Sequence, residues 1–358
     1  MSQNLFLFTV GPVQSFIANA RKTQDLYAGS FILSYLCRTG MEKVREFTDE
    51  IILPDPTNVY VPNRFLAVIN ETDHIKLRQI GESVETAVRQ KFIEMGEIIL
   101  QRLGIPGKPQ GFKEQIERHL EIHWVFAPFD EKEYLSCYNT IGARMASVKN
   151  IRRFEQLEEE SGRKCSIDGR HNALFYKKTG AFITKGALKL KKISDKYLED
   201  GEALGAVSFV KRCVDKYFES IGVDYNSDFE STSRIALADA LERLKKLDPD
   251  YEGVDKLRFD SNLVYELKSN QIKPEEARDL KAKEIYEALE SNKIEYSPYY
   301  AMMLFDGDDM GKWYCGDKLK EGVSLKEFQT ALSKKLGRFA EEIREKVLVL
   351  PKGRPVYT

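Results

Sequence analysis

The chain has 358 residues, 42% apolar and 31% charged, and a formal net charge of −1. These values describe a soluble globular protein of two or three domains; they exclude a disordered chain and a global basic field, though a local basic patch remains open. Five scattered cysteines, at positions 37, 137, 165, 213 and 315, imply no disulfide framework, and no apolar run approaches membrane-spanning length, so a cytoplasmic protein with no membrane attachment is expected.

Leu5–Val10 is a continuous apolar run and predicts a central strand; it is too short for a signal peptide and is broken at once by Gly11-Pro12. Pro12 suits the first position of a helix, and Val13, Phe16, Ile17 and Ala20 follow at helical spacing. A helix start presents unpaired N–H groups to a phosphate. The turn with Gly11, Gln14 and Ser15, together with Arg21 and Lys22, is therefore a candidate nucleotide-binding surface. The plain alternative is a helix start with a solvated polar face. A second helix from Ser30 buries Ile32, Leu33, Leu36 and Cys37. Strands follow at Ile51–Leu53 and Phe65–Ile69. A long amphipathic helix then runs from Thr72 to Leu103, ended by the Gly- and Pro-rich stretch 104–110, and a last strand covers Glu121–Ala127. The order β-α-α-β-β-α-β is the split β-α-β plan with one extra helix, so residues 1–135 read as a ferredoxin-like domain.

Residues 136–295 read as a mainly helical insert, with helices expected over Tyr134–Phe154, Leu204–Ile221, Ser233–Leu247 and Pro274–Glu290. Inside it, Gly162-Arg163-Lys164-Cys165-Ser166-Ile167-Asp168-Gly169 has the shape of half a zinc knuckle, with Asp168 where the second cysteine belongs. No second C-x-x-C occurs and a structural zinc takes four ligands, so zinc is not expected, although His171 and Cys213 could be recruited.

The apolar run Tyr299–Phe305 predicts a buried strand ending in Asp306-Gly307-Asp308-Asp309. Such a strand delivers Asp306 and Asp308 to its C-terminal edge, and Gly307 lets the backbone approach an ion or a phosphate. Hard oxygen donors at this density suit Mg²⁺ or Mn²⁺, with a nucleoside triphosphate supplying further oxygens. Asp309 and Lys312 extend the nucleotide-facing set, the lysine offsetting repulsion among the carboxylates. A solvated turn explains the same residues, and a calcium loop half-matches but fails at Met310 and Asp317. A long helix carrying Phe328, Leu332, Leu336, Phe339 and Ile343 comes next, and Pro355–Thr358 begins another strand. Residues 296–358 thus read as an incomplete second domain of the first domain's plan.

The opening Phe8-Thr9-Val10-Gly11-Pro12-Val13-Gln14-Ser15-Phe16-Ile17, with Ala20–Thr23 and Asp25–Ser30, closely resembles the large subunit of Cmr-type (type III) CRISPR effector complexes. Pro62-Asn63-Arg64-Phe65, Gly142-Ala143-Arg144, the segment Arg163–Gly169, Ser231–Ala236 and Asp306–Gly311 fit the same family in the same order. The resemblance implies an α+β protein: a ferredoxin-like palm, a helical insert and the start of a second palm, with ATP bound where the palms face each other. The family converts ATP into cyclic oligoadenylate when the complex captures target RNA. It further implies Asp306 as the first metal-binding carboxylate, the Gly307 carbonyl as a second ligand and Asp308 beside them, with the other complex subunits, guide RNA and target RNA as partners. Two features depart from the family. The Gly-Gly-Asp-Asp hairpin is due just where the sequence stops, and no HD nuclease motif is present. The chain then reads as an N-terminal portion or one piece of a split protein, with a separately encoded C-terminal half as a further partner. Two-metal chemistry needs carboxylates bridging both ions, so no catalytic set is complete; weak metal and nucleotide binding is expected, with negligible turnover by this chain alone. A non-enzymatic scaffold binding RNA and partner proteins, and an unrelated cyclase or polymerase palm, remain the alternatives.

Overall fold

An all-apolar strand can be satisfied only between two packed layers, and β1 (Gln3–Gly11) is placed that way. The structure, a computed structural model, describes residues 3–151, 161–178, 182–225, 229–254, 257, 259–304 and 306–349. Phe6, Phe8 and Val10 enter one core, while Leu5 and Leu7 pack on the opposite face, as a side-chain period of two requires. β1 lies inside a 4-stranded antiparallel sheet of order β2-β3-β1-β4, completed by β2 (Ile51–Leu53), β3 (Arg64–Ile69) and β4 (Glu121–Phe129). Its register pairs Phe8 with Phe65 on β3 and with Trp124 on β4. β1 and β2 run in the same direction with β3 between them.

Two helical crossovers cover the Phe6 and Phe8 face: α1 (Gln14–Ala18) with α2 (Thr23–Val44), and α3 (His74–Arg102) with α4 (Phe112–Glu117). The rings of Phe8 and Phe65 stack at 5.0 Å, and each fully buried side chain of this kind contributes about 1.5–3 kcal/mol. α3 starts where Asp73 accepts the N–H groups of Ile75 and Lys76. It lies close to β4 only because residue 81 is glycine: a Cβ there would stand 2.5 Å from the Trp124 ring. The opposite face is covered by α5 (Tyr134–Asn150), through Ile141 and Met145, and by Leu325 at the start of α12 (Leu325–Val349), which follows the short α11 (Met310–Tyr314).

After α5 the chain forms a small 3-stranded sheet of order β6-β5-β7, from β5 (Phe175–Tyr176), β6 (Leu188–Lys189) and β7 (Ala203–Leu204), followed by α6 (Ala206–Arg212) and α7 (Val214–Ser220). Strands of two residues show no periodicity, so the sequence gives no sign of this sheet. Phe175, Phe209, Tyr217 and Phe218 join the same core as Phe6 and Phe8. By packing, the described residues up to Tyr225 form one unit with 309–343; described residues between 229 and 308, with 344–349, form the other. In that second unit α8 (Thr232–Leu247), α9 (Ser261–Lys268) and α10 (Leu280–Ser291) bury Leu237, Leu241, Leu244, Val264, Leu267, Ile285 and Leu289.

One expected element is corrected. Residues 299–304 form no strand, and Tyr299, Met302, Met303 and Leu304 are 76–86% exposed. A strand exists only beside a partner that takes its backbone hydrogen bonds, and no described strand pairs with this run. Phe305, the end of the helix expected at 152–154, and the strand start at 355–358 lie outside the described residues.

Candidate functional site

The acidic loop is open. Asp306 and Asp308 are exposed, and the Asp306 Oδ1 accepts the Gly307 N–H at 2.8 Å. Among the described residues neither carboxylate forms an ion pair, and no group of three His, Cys, Asp or Glu is gathered for a metal. Asp309 sits at a left-handed φ of 57°, with one oxygen 2.8 Å from Lys318 Nζ and the other 3.1 Å from Lys312 Nζ. Those two ammonium groups, Lys318 foremost, hold its carboxyl below the usual range. Lys312 does offset an acid here, and that acid is Asp309.

The N-terminal turn is tied to its own chain. Gly11 ends β1 opposite Glu121, and Gln14 and Ser15 are exposed on the five-residue α1. Lys22 Nζ lies 2.7 Å from Glu199 and donates to the carbonyls of Asp195 and Lys196, while Arg21 stands 3.9 Å from Glu202. Beneath them Asp25, fully buried, accepts the N–H groups of Arg21 and Lys22 at 3.1 Å and both arms of the Arg212 guanidinium, which also reaches Glu202 at 3.3 Å. Lys211 donates to the carbonyls of Phe16 and Asn19, and burial lowers its pKa to about 8. This network fixes residues 16–25 from below.

The knuckle-like segment is a closed turn. The Cys165 thiol is buried and lies 3.3 Å from the Ser208 hydroxyl. Asp168 accepts the backbone N–H groups of Arg170 and His171 and bonds His171 Nδ1 at 3.1 Å.

A further concavity lies elsewhere in the first unit. A cavity of about 670 Å³ opens between the Leu7 and Leu66 face of the sheet, α5, the end of α11 and α12. Its floor is apolar, from Val13, Ile17, Leu33, Leu53, Ile141 and Leu336, and its polar groups include Asn63, Arg64, Tyr138, Asn139 and Tyr314. The wall at 54–63 is pinned by Asp55 N–H to Ser333 Oγ at 2.8 Å, Asn58 Nδ2 to the Ser333 carbonyl at 3.2 Å, and Asn63 Nδ2 to the Val10 carbonyl at 3.0 Å. α12 accepts Asn58 because residue 337 is glycine; a Cβ would fall 2.0 Å from Asn58 Oδ1.

Arg64 is the cavity's one distinctive charge. Its backbone starts β3 opposite Thr9, its side chain is exposed, and among the described residues it has no ion-pair partner. Burial raises the hydroxyls of Tyr138 and Tyr314, while the Arg64 charge pulls both the other way. Burial and then Arg64 lower the ammonium of Lys149. A cation without a carboxylate, two tyrosine rings and an apolar floor can hold a planar group bearing phosphate. None of Gly11, Gln14, Ser15, Arg21, Lys22, Asp309 or Lys312 lines this cavity, although their neighbours Val13, Ile17 and Tyr314 do. Arg64 stood in a family-like motif without an assigned role; the readable signal was a lone arginine opening an otherwise apolar strand.

Residues 5–97 match the family described as CRISPR-associated protein Cmr2, N-terminal. The CRISPR system Cmr subunit Cmr2 of Pyrococcus furiosus is 23% identical over 416 aligned residues, covering 88% of this chain and 45% of that protein. The chain therefore spans less than half the length of that curated relative. Among solved structures, the type III-B Cmr-beta complex in the apo state matches with a TM-score of 0.50 at 15% identity, over 69% of this chain and 37% of that one. Cmr-beta bound to cognate target RNA gives a TM-score of 0.49 at the same identity and coverage. The comparisons and the motifs agree: the chain is similar to the Cmr2-type large subunit of type III-B CRISPR complexes, and its N-terminal region carries that family's signature.

Proposed function

We propose that this chain is an ATP-binding, palm-type large subunit, or a portion of one, in a cytoplasmic type III-B CRISPR effector complex. Its partners in this reading are the other complex subunits, guide RNA and target RNA. The antiparallel order β2-β3-β1-β4 with two helical crossovers supports a ferredoxin-like palm. The observation that carries the nucleotide reading is Arg64, an unpaired cation in a 670 Å³ cavity with Tyr138 and Tyr314. The arginine would grip phosphate and a tyrosine would face the base.

In the second unit, Asp306, the Gly307 carbonyl and Asp308 would hold Mg²⁺ or Mn²⁺. Two exposed carboxylates suit an ion that keeps several waters and takes other oxygens from phosphate, not a closed protein cage. The ion supplies charge neutralisation of the phosphates. Two-metal chemistry needs carboxylates that bridge both ions, so binding rather than turnover is the activity assigned to this chain.

A calorimetric titration with Mg-ATP tests the reading. Saturable binding is expected, weakened at least tenfold by Arg64→Ala, because a hydrogen bond to a charged group contributes about 1.5–3 kcal/mol. Absence of binding, or unchanged affinity in the variant, would favour a scaffold instead.

A further inference from the structure

We propose that the outer side of β6 and the segments flanking it form a binding surface for a single-stranded polynucleotide, with Lys185, Lys191 and Lys192 gripping phosphates and Phe182 stacking on a base. The surface is separate from the Arg64 cavity, and its test does not depend on ATP binding.

The charge is local. Between 177 and 196 the sequence carries seven lysines and a single acid, Asp195, in a chain whose net charge is −1. Three of these lysines are neutralised: Lys177 by Asp195, Lys178 by Asp200 and Lys196 by Asp215. Lys185, Lys191 and Lys192 are exposed and, among the described residues, have no ion-pair partner. Lys189 is exposed between them.

The backbone decides where they face. Leu188 N–H bonds the Leu174 carbonyl at 2.7 Å and Leu190 N–H the Tyr176 carbonyl at 2.8 Å, which holds the segment against β5. Leu188, Leu190 and Ile193 pack on the main core, whereas Lys189 at the end of β6, and Lys191 and Lys192 in the turn that Ile193 N–H closes on the Leu190 carbonyl at 3.4 Å, are exposed. Three exposed lysines thus fall within a span of four residues, a group of cations that one flexible phosphodiester strand can follow. Phe182, three residues before Lys185, is 83% exposed. An acidic peptide has no use for that ring, whereas an unpaired base stacks on it. A duplex hides its base faces, so the single strand fits best.

Fluorescence anisotropy of the intact chain with labelled oligouridylate, across a sodium chloride series, tests the proposal. Replacing Lys185, Lys191 and Lys192 together by serine should weaken binding at least tenfold and flatten the log–log salt slope by about 2, since each phosphate contact on a single strand contributes about 0.7. Phe182→Ala should weaken binding roughly tenfold and leave the slope unchanged. Oligodeoxyuridylate binding as tightly as oligouridylate assigns the surface to either strand chemistry and supports the proposal. Unchanged affinity in the triple variant, equal affinity for a duplex, or equal competition by polyglutamate would overturn it, the last assigning the patch to an acidic protein. Circular dichroism melting identical to the parent protein confirms that the exposed substitutions leave the fold intact.

Discussion

Replacing Arg212 by alanine should destabilise the first unit by about 3–5 kcal/mol, the cost of breaking a buried ion pair from one side. The guanidinium is fully buried and meets Asp25, also fully buried, through two nitrogens, with Glu202 as a second carboxylate. Removing it leaves Asp25 without a cation in a site that water barely reaches, and leaves Glu202 with Arg21 alone, at 3.9 Å. At roughly 2–4 °C per kcal/mol for a unit of this size, the melting midpoint should fall on the order of 10 °C. Asp25→Ala should be costly as well, because the backbone N–H groups of Arg21 and Lys22 lose their acceptor. The double variant should cost far less than the sum of the two, since each single change strands the other's charge. Urea denaturation of the three variants checks this; a loss below about 1 kcal/mol for Arg212→Ala would show that the network contributes little.

Stability should also fall between pH 6.5 and 4, through His119. Its ring lies 4.9 Å from that of Phe16 and against Phe92, and its Nε2 is shut away from solvent with no hydrogen-bond partner. Burial, reinforced by His171 and by the Lys211 ammonium, lowers its pKa from 6.5 to about 4. In that interval the unfolded chain takes up a proton that the folded chain refuses. The stabilisation is therefore complete above pH 6.5 and is lost as pH falls toward 4, by roughly 3 kcal/mol. His119→Phe keeps a ring of similar size and removes the titration, so its stability should be much flatter over the same range. Parallel loss in both proteins would place the acid sensitivity elsewhere.

The first sheet was legible because both of its signals are local: an apolar run for β1, and helical spacing from Leu77 to Ile99 for α3. The same rule failed at Tyr299–Leu304, because apolarity marks a residue's preference whereas a strand depends on its neighbour. Asp25 was legible only as part of the family-like run Asp25–Ser30; its partner Arg212 lies 187 residues away, beyond any window of sequence pattern. Arg21 and Lys22 were readable as cations but not as cations already engaged by Glu202 and Glu199. Arg64 was visible within its motif, yet its meaning depends on Tyr138 and Tyr314, which α5 and α11 bring to the same cavity.

Photocrosslinking with 8-azido-ATP, followed by mass spectrometry of the labelled peptides, tests the nucleotide reading most directly. The cavity predicts labelling on the peptides carrying Tyr138 or Tyr314, competed away by unlabelled Mg-ATP and lost in Arg64→Ala. Competable labelling confined to the turn at Gly11–Lys22, or labelling that persists in Arg64→Ala, would contradict it.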